Sequence, residues 1–158
     1  MIEFPNKENQ FHRDHVALLL SSYRRWIGRT LFNEGANEAD TAKLLFESPI
    51  VVVSHGVSED PIFNYGNQTA LNLFAMTWQE FTKLPSRKSA EPLNREERAR
   101  LLATVTEQNY IDDYSGVRIS SQGKRFHIPR ATVWNVVDDA GVYRGQAATF
   151  SAWTFLEE

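Results

Sequence analysis

Cysteine is absent from this 158-residue chain, which excludes thiol nucleophiles, Cys-ligated zinc, iron–sulfur clusters and any covalent cysteinyl adduct with a cofactor. No apolar run approaches the roughly eighteen residues of a membrane span, and the opening Met1-Ile2-Glu3-Phe4-Pro5-Asn6 lacks the basic start and apolar centre of a signal peptide. The expectation is a soluble cytoplasmic protein without membrane contact. Excess positive charge is also missing: 17 Lys and Arg face 20 Asp and Glu, for a net charge of -3. That balance argues against a dominant electrostatic attraction to nucleic acid. Gly-x-Ser-x-Gly, phosphate-loop and dinucleotide signatures do not occur, nor do repeats or low-complexity tracts.

Aromatic side chains are plentiful, with 10 Phe, 5 Tyr and 4 Trp. They can build a dense core without disulfide or metal, in a chain long enough to bury roughly 70% of its unfolded surface. Over residues 11–32, Val16, Leu19, Leu20, Tyr23, Ile27 and Leu31 recur at helical spacing beside several arginines, which predicts an amphipathic helix. Gly35 reads as its stop signal, and a shorter helix is expected over residues 38–46. The β-branched residues 50–54 predict a strand with a hairpin partner at residues 62–65. Asn67 then stands where it can cap a helix starting at Gln68, and Thr77 with Glu80 has the spacing of a capping box. Asn94 with Glu97 predicts the start of a longer helix reaching about residue 108, with Leu101, Leu102 and Val105 as its core side chains. Turn signals at Ser121-Gln122-Gly123 and at residues 138–141 divide the last third into strands over residues 117–121, 124–137 and 142–156, with a bulge or edge position at Pro129.

Four phrases carry a family resemblance: PIFNYGNQTAL at residues 61–71, GVRISSQGKR at 116–125, ATVWNV at 131–136 and FSAWTF at 150–155, with a weaker echo in LSSY at 20–23. Together they resemble the MEKHLA domain, a PAS-like domain known from the C-terminal part of plant class III homeodomain–leucine zipper regulators and from stand-alone bacterial and algal proteins. The resemblance implies a sensory or regulatory module that controls association, without an established catalytic residue set or a settled ligand. No homeodomain or zipper precedes these phrases in the sequence, so direct nucleic-acid binding is not expected.

Gln146 sits among small neighbours, Gly145, Ala147 and Ala148, which leave volume for a pocket. With Asn135 it is similar to the polar part of flavin-binding light sensors, so flavin is one ligand that the resemblance implies; otherwise the two amides satisfy buried backbone or each other. Arg130 and Trp134 would share one sheet face if their strand were regular, and with Arg118 they suit a carboxylate ligand, with Tyr114 orienting the group. The alternative is an Arg that pairs with Asp112, Asp113 or Glu91 and stacks on the ring, and a bulge at Pro129 would move Arg130 to the other face. His12 and His15 are three residues apart on the first helix but lack a third metal ligand; His55 near Glu59 and Asp60 has the composition of an oriented base.

These readings converge on an α+β, PAS-like fold: an antiparallel sheet of about five strands with helices packed on one face, preceded by an N-terminal amphipathic helix. Residues 1–48 form a helical flank and residues 49–158 the PAS-like domain. The expected function is a sensory or regulatory module that binds a small acidic or aromatic molecule, or mediates association as a homodimer. Phe74, Tyr114, Arg118, Arg130, Trp134, Asn135 and Gln146 are the ligand-binding candidates, and Leu19, Leu20, Tyr23, Trp26 and Ile27 the dimerisation candidates. For the first helix, covering the chain's own sheet is the equal alternative to dimerisation. No catalytic residue, metal ligand or cofactor is assigned. The competing readings are a small enzyme acting on an organic acid, with Arg130 as anchor and His55 or His127 as acid/base, and a ligand-free structural dimer.

Overall fold

The structure is a computed structural model that describes residues 2–156. Strands β1 (Val51–His55) and β2 (Phe63–Gly66) form a hairpin, and the chain passes through Asn67 into helix α3 (Gln68–Phe74). Asn67 is fully buried and uses its whole side chain: Oδ1 accepts from Ala70 N at 3.2 Å and Val52 N at 3.1 Å, while Nδ2 donates to the Leu45 and Ile50 carbonyls. One amide thus caps a helix and ties it to β1. Thr77 and Glu80 make the expected reciprocal capping box at α4 (Trp78–Phe81). Helix α5 (Pro92–Gln108) begins differently from the Asn94 expectation: Pro92 occupies its first turn, where a missing N–H costs nothing.

The last third is a meander of β3 (Tyr110–Ile119), β4 (Arg125–Val137) and β5 (Tyr143–Phe150), with a short β6 (Thr154–Phe155). Sheet order is β2-β1-β5-β4-β3, and β6 pairs with β4. Strand β3 starts at Tyr110, well before residue 117, because pairing with β4 holds Asp112, Asp113, Ser115 and Gly116 in extended form against their weak strand preference. The register Ile111↔Val133, Tyr114↔Ala131, Gly116↔Ile128 contains a bulge on β3 followed by one on β4, and the second contains Pro129. The expected single last strand is broken into β5 and β6; opposite the break lies Pro129, which has no N–H to offer.

Helices lie on both faces of the sheet. Helices α3 and α5 cover the inner face, which carries Val53, His55, Val133, Gln146, Ala148 and Phe150. The N-terminal helix α1 (Arg13–Ile27), followed by α2 (Glu38–Phe46), covers the outer face. Helix α1 ends earlier than residue 35, at Gly28, whose φ of 82° lets its N–H return to Arg24 O at 2.8 Å. Val16, Leu19, Leu20 and Tyr23 are buried beneath α1. The helix is also bonded to β4: Trp134 Nε1 donates to Leu19 O at 3.1 Å, Trp26 Nε1 to Asn135 O at 2.8 Å, and Ser22 Oγ bonds both Val137 O and N. Of the five expected dimerisation residues, Leu19, Leu20 and Tyr23 are therefore consumed inside the chain, and Trp26 and Ile27 pack half-buried against the same core. The polar anchors fix α1 to its own sheet in a way that an apolar stripe alone does not specify.

Candidate functional site

The inner face and α5 line a partly open cavity of about 70 Å³. Its walls are mainly apolar, with Phe63, Phe74, Leu101, Leu102, Ile128 and Phe150 among them. The polar residues that line it include His55, Ser89, Arg98, Tyr114, Arg118 and Gln146. Strand register explains the grouping, since His55 opposes Gln146 across β1 and β5 and Tyr114 opposes Ala131 across β3 and β4.

Four of the expected ligand-binding residues, Phe74, Tyr114, Arg118 and Gln146, therefore line one cavity. Asn135 lies beside Gln146 on the same face. It donates to the Val105 carbonyl at 3.0 Å, while Gln146 Nε2 donates to Leu102 O, Thr106 Oγ1 and Asn135 Oδ1, each at 3.1 Å. These amides latch the end of α5 onto the sheet. Trp134 and Arg130 are not with them. Trp134 faces α1, its ring edge-to-face with Tyr23, and Arg130 is exposed beside Thr132 in a shallow outer depression, with Nε donating to Asp112 O at 3.2 Å. The bulge at Pro129 sets Arg130 apart from its inner-face neighbours, and the sheet separates it from His55. His127 pairs with Val117 and Thr154, also away from the cavity. His12 stacks on Trp78 and His15 bonds Ser54 Oγ at 3.0 Å, so the two rings have separate partners.

Arg98, which the sequence does not single out as a site residue, also lines the cavity. The signal that could have found it is its position three and four residues before Leu101 and Leu102, which puts a guanidinium on the apolar face of α5. Burial first, and then the positive charge of Arg118, push the Arg98 pKa down to about 10. Arg98 Nη2 donates to Ser86 Oγ at 2.8 Å; Arg118 donates to Val117 O at 2.7 Å and to the Tyr114 hydroxyl at 3.2 Å. Among the described residues, neither guanidinium has a carboxylate within ion-pair distance. Two acids of the same region have other partners: Asp60 pairs with Arg87 at 3.1 Å, and Glu97 accepts from the Tyr114 hydroxyl at 2.9 Å.

His55 completes the set. Only 8% of its surface is exposed; its Nδ1 meets the Gly56 carbonyl at 3.0 Å, and its Nε2 has no hydrogen-bond partner. A carbonyl only accepts, so Nδ1 carries the proton and Nε2 is a bare acceptor. Burial pushes the His55 pKa down and Arg98 adds to the depression, while the Gly56 bond and the side chain of Gln146, its cross-strand neighbour, oppose it.

The MEKHLA domain model matches residues 13–155. The chain belongs to the MEKHLA domain family. This MEKHLA domain is 25% identical over 146 residues to the Homeobox-leucine zipper protein ATHB-9 of Arabidopsis thaliana, covering 89% of this chain and 17% of that protein. It is 23% identical to the Homeobox-leucine zipper protein HOX9 of Oryza sativa subsp. indica, covering 87% of this chain and 16% of that protein. The chain thus spans less than a fifth of the length of these curated relatives. Among solved structures it is similar to the PAS domain of a protein from Colwellia psychrerythraea, with a TM-score of 0.60, 13% identity and coverage of 68% of this chain and 89% of that one. The light-state dimer of the fungal blue-light photoreceptor Vivid is also similar, with a TM-score of 0.59 and 13% identity over 91% of this chain and 94% of that one. These likenesses establish a PAS-like fold.

A flavin does not fit this MEKHLA domain's cavity. At about 70 Å³, it is half the size of an engineered cavity of roughly 150 Å³ that holds one benzene ring. The amide group of Gln146 is also committed to α5 and Asn135.

Proposed function

We propose that this MEKHLA domain is a sensory or regulatory module that binds a small molecule between the inner sheet face and α5, and that α5 is the element that responds. The supporting observation is the cavity itself, which unites polar groups from β1, β3, β5 and α5 against apolar walls. Helix α5 rests on that cavity through Leu101, Val105 and the Asn135–Gln146 latch, so occupancy changes the surroundings of the residues that hold it. In this reading the domain is not an enzyme, and Arg130, the anchor expected for an enzyme on an organic acid, lies on the other side of the sheet from His55. Homodimerisation belongs to the same proposal only through a surface other than the buried face of α1, or through an α1 that has left the sheet. No helix among the described residues is long and apolar enough to cross a membrane.

Amide NMR with a set of small fragments, both charged and neutral, tests the reading. Binding should move the signals of His55, Leu101, Leu102 and Ala148, and the filled-cavity variant Ala148→Leu should abolish the response. A fragment set that leaves every one of those signals in place, in a protein that stays folded, would overturn it.

A further inference from the structure

The cavity holds two kinds of unmet bonding capacity, and they differ in sign. On one side are the Arg98 and Arg118 guanidinium groups, which repel each other and have no carboxylate partner within ion-pair distance among the described residues. On the other is His55 Nε2, a buried acceptor without a donor. A guanidinium pair is satisfied by an anion with planar, bidentate acceptor oxygens, which describes a carboxylate. A bare imidazole nitrogen is satisfied by an O–H or N–H donor. The remaining walls, including Phe74, Leu101, Ile128 and Phe150, are apolar and suit a short hydrocarbon portion. Size limits the choice to the smallest organic acids: the cavity measures about 70 Å³ and is partly open to solvent, about half of the roughly 150 Å³ that holds one benzene ring.

Resting on the reading of this cavity as a ligand site, we propose that it accepts a short-chain hydroxycarboxylate, whose carboxylate lies between Arg98 and Arg118 and whose hydroxyl donates to His55 Nε2. The alternatives fail one half of the complementarity. A simple carboxylate leaves the His55 nitrogen bare, and a neutral hydroxyamide leaves two cations uncompensated. Leaving a buried partner unmatched is what gives polar sites their discrimination.

The experiment is an NMR titration of the full chain with lactate, propionate and lactamide, each at the same ionic strength with sodium chloride as reference. Lactate should saturate the signals of His55, Leu101 and Ala148 and bind roughly tenfold or more tightly than either analogue. Arg98→Gln should weaken lactate by about the same factor while leaving lactamide unchanged, and His55→Leu should make lactate and propionate equal. Arg118→Gln serves in the same role if Arg98→Gln fails to fold. Propionate binding as tightly as lactate overturns the hydroxyl assignment. Lactamide binding as tightly as lactate, or chloride producing the same shifts, overturns the carboxylate assignment. If all three fail while neutral fragments shift the lining, the ligand class falls and the cavity reading stands; if nothing shifts the lining, both fall.

Discussion

Lowering the pH should unlock α1 from the sheet through one residue, His15. Its Nε2 meets Ser54 Oγ at 3.0 Å and its ring packs on Tyr65, so protonation would place a charge in a partly buried site. Burial first, and then His12, push its pKa from 6.5 down to about 4. Between these values the unfolded chain binds a proton at residue 15 that the folded chain does not, so stability is full above pH 6.5 and falls as the pH drops toward 4. With those two pKa values, the loss from His15 alone is about 0.2 kcal/mol at pH 7 and about 2 kcal/mol at pH 5. The His55 pKa is also held down by burial, so the His15 contribution must be isolated by substitution. His15→Gln retains a side chain that can bond Ser54 and cannot be protonated. Urea unfolding of both proteins at pH 7 and pH 5 should show the wild type losing about 1.8 kcal/mol more than the variant, close to 1 M in midpoint for an m-value of about 2 kcal/mol/M. Equal losses in the two proteins would refute the reasoning.

Arg98→Met should stabilise the ligand-free domain at neutral pH. The fall of the Arg98 pKa to about 10 corresponds to about 3 kcal/mol; discounting for its partial exposure and for the lost Ser86 bond leaves about 1–2 kcal/mol, or roughly 2–8 °C in Tm by calorimetry. A lower Tm would show that the guanidinium supports the fold. Gly145→Ala should cost about 3 kcal/mol or more in urea unfolding, because φ is 133° and an added Cβ would strike the His55 carbonyl oxygen; an unchanged midpoint contradicts that geometry. Trp134→Phe should cost about 1–2 kcal/mol and speed hydrogen exchange in α1 by removing the bond to Leu19 O. It should leave lactate affinity untouched, and a loss of affinity would return Trp134 to the ligand site.

The features legible in the sequence are those governed by near neighbours. Asn67 before an apolar run, Thr77 three residues before Glu80 and Pro129 inside a strand each act on backbone groups a few residues away, and each does in the structure what its local chemistry implies. The site was only half legible. Phe74, Tyr114, Arg118 and Gln146 meet at the cavity, but Arg130 and Trp134 lie together on the outer face, across the sheet from Arg118, because the bulge at Pro129 breaks alternation between Ile128 and Arg130. Arg98 was missed because a cation among helical leucines looks the same whether it reaches solvent or a cavity.

By itself the sequence determined the order of helices and strands, the caps and turns that separate them, and membership in a PAS-like family, because short-range sterics and hydrogen bonding act before the chain is compact. Only the tertiary structure decided that α1 closes the outer face and that Arg98, Arg118 and His55 share one cavity. An apolar stripe specifies that a surface will be buried, whereas its partner depends on register and polar anchors contributed by residues more than a hundred positions away, such as the bonds from Ser22 and Trp26 to β4.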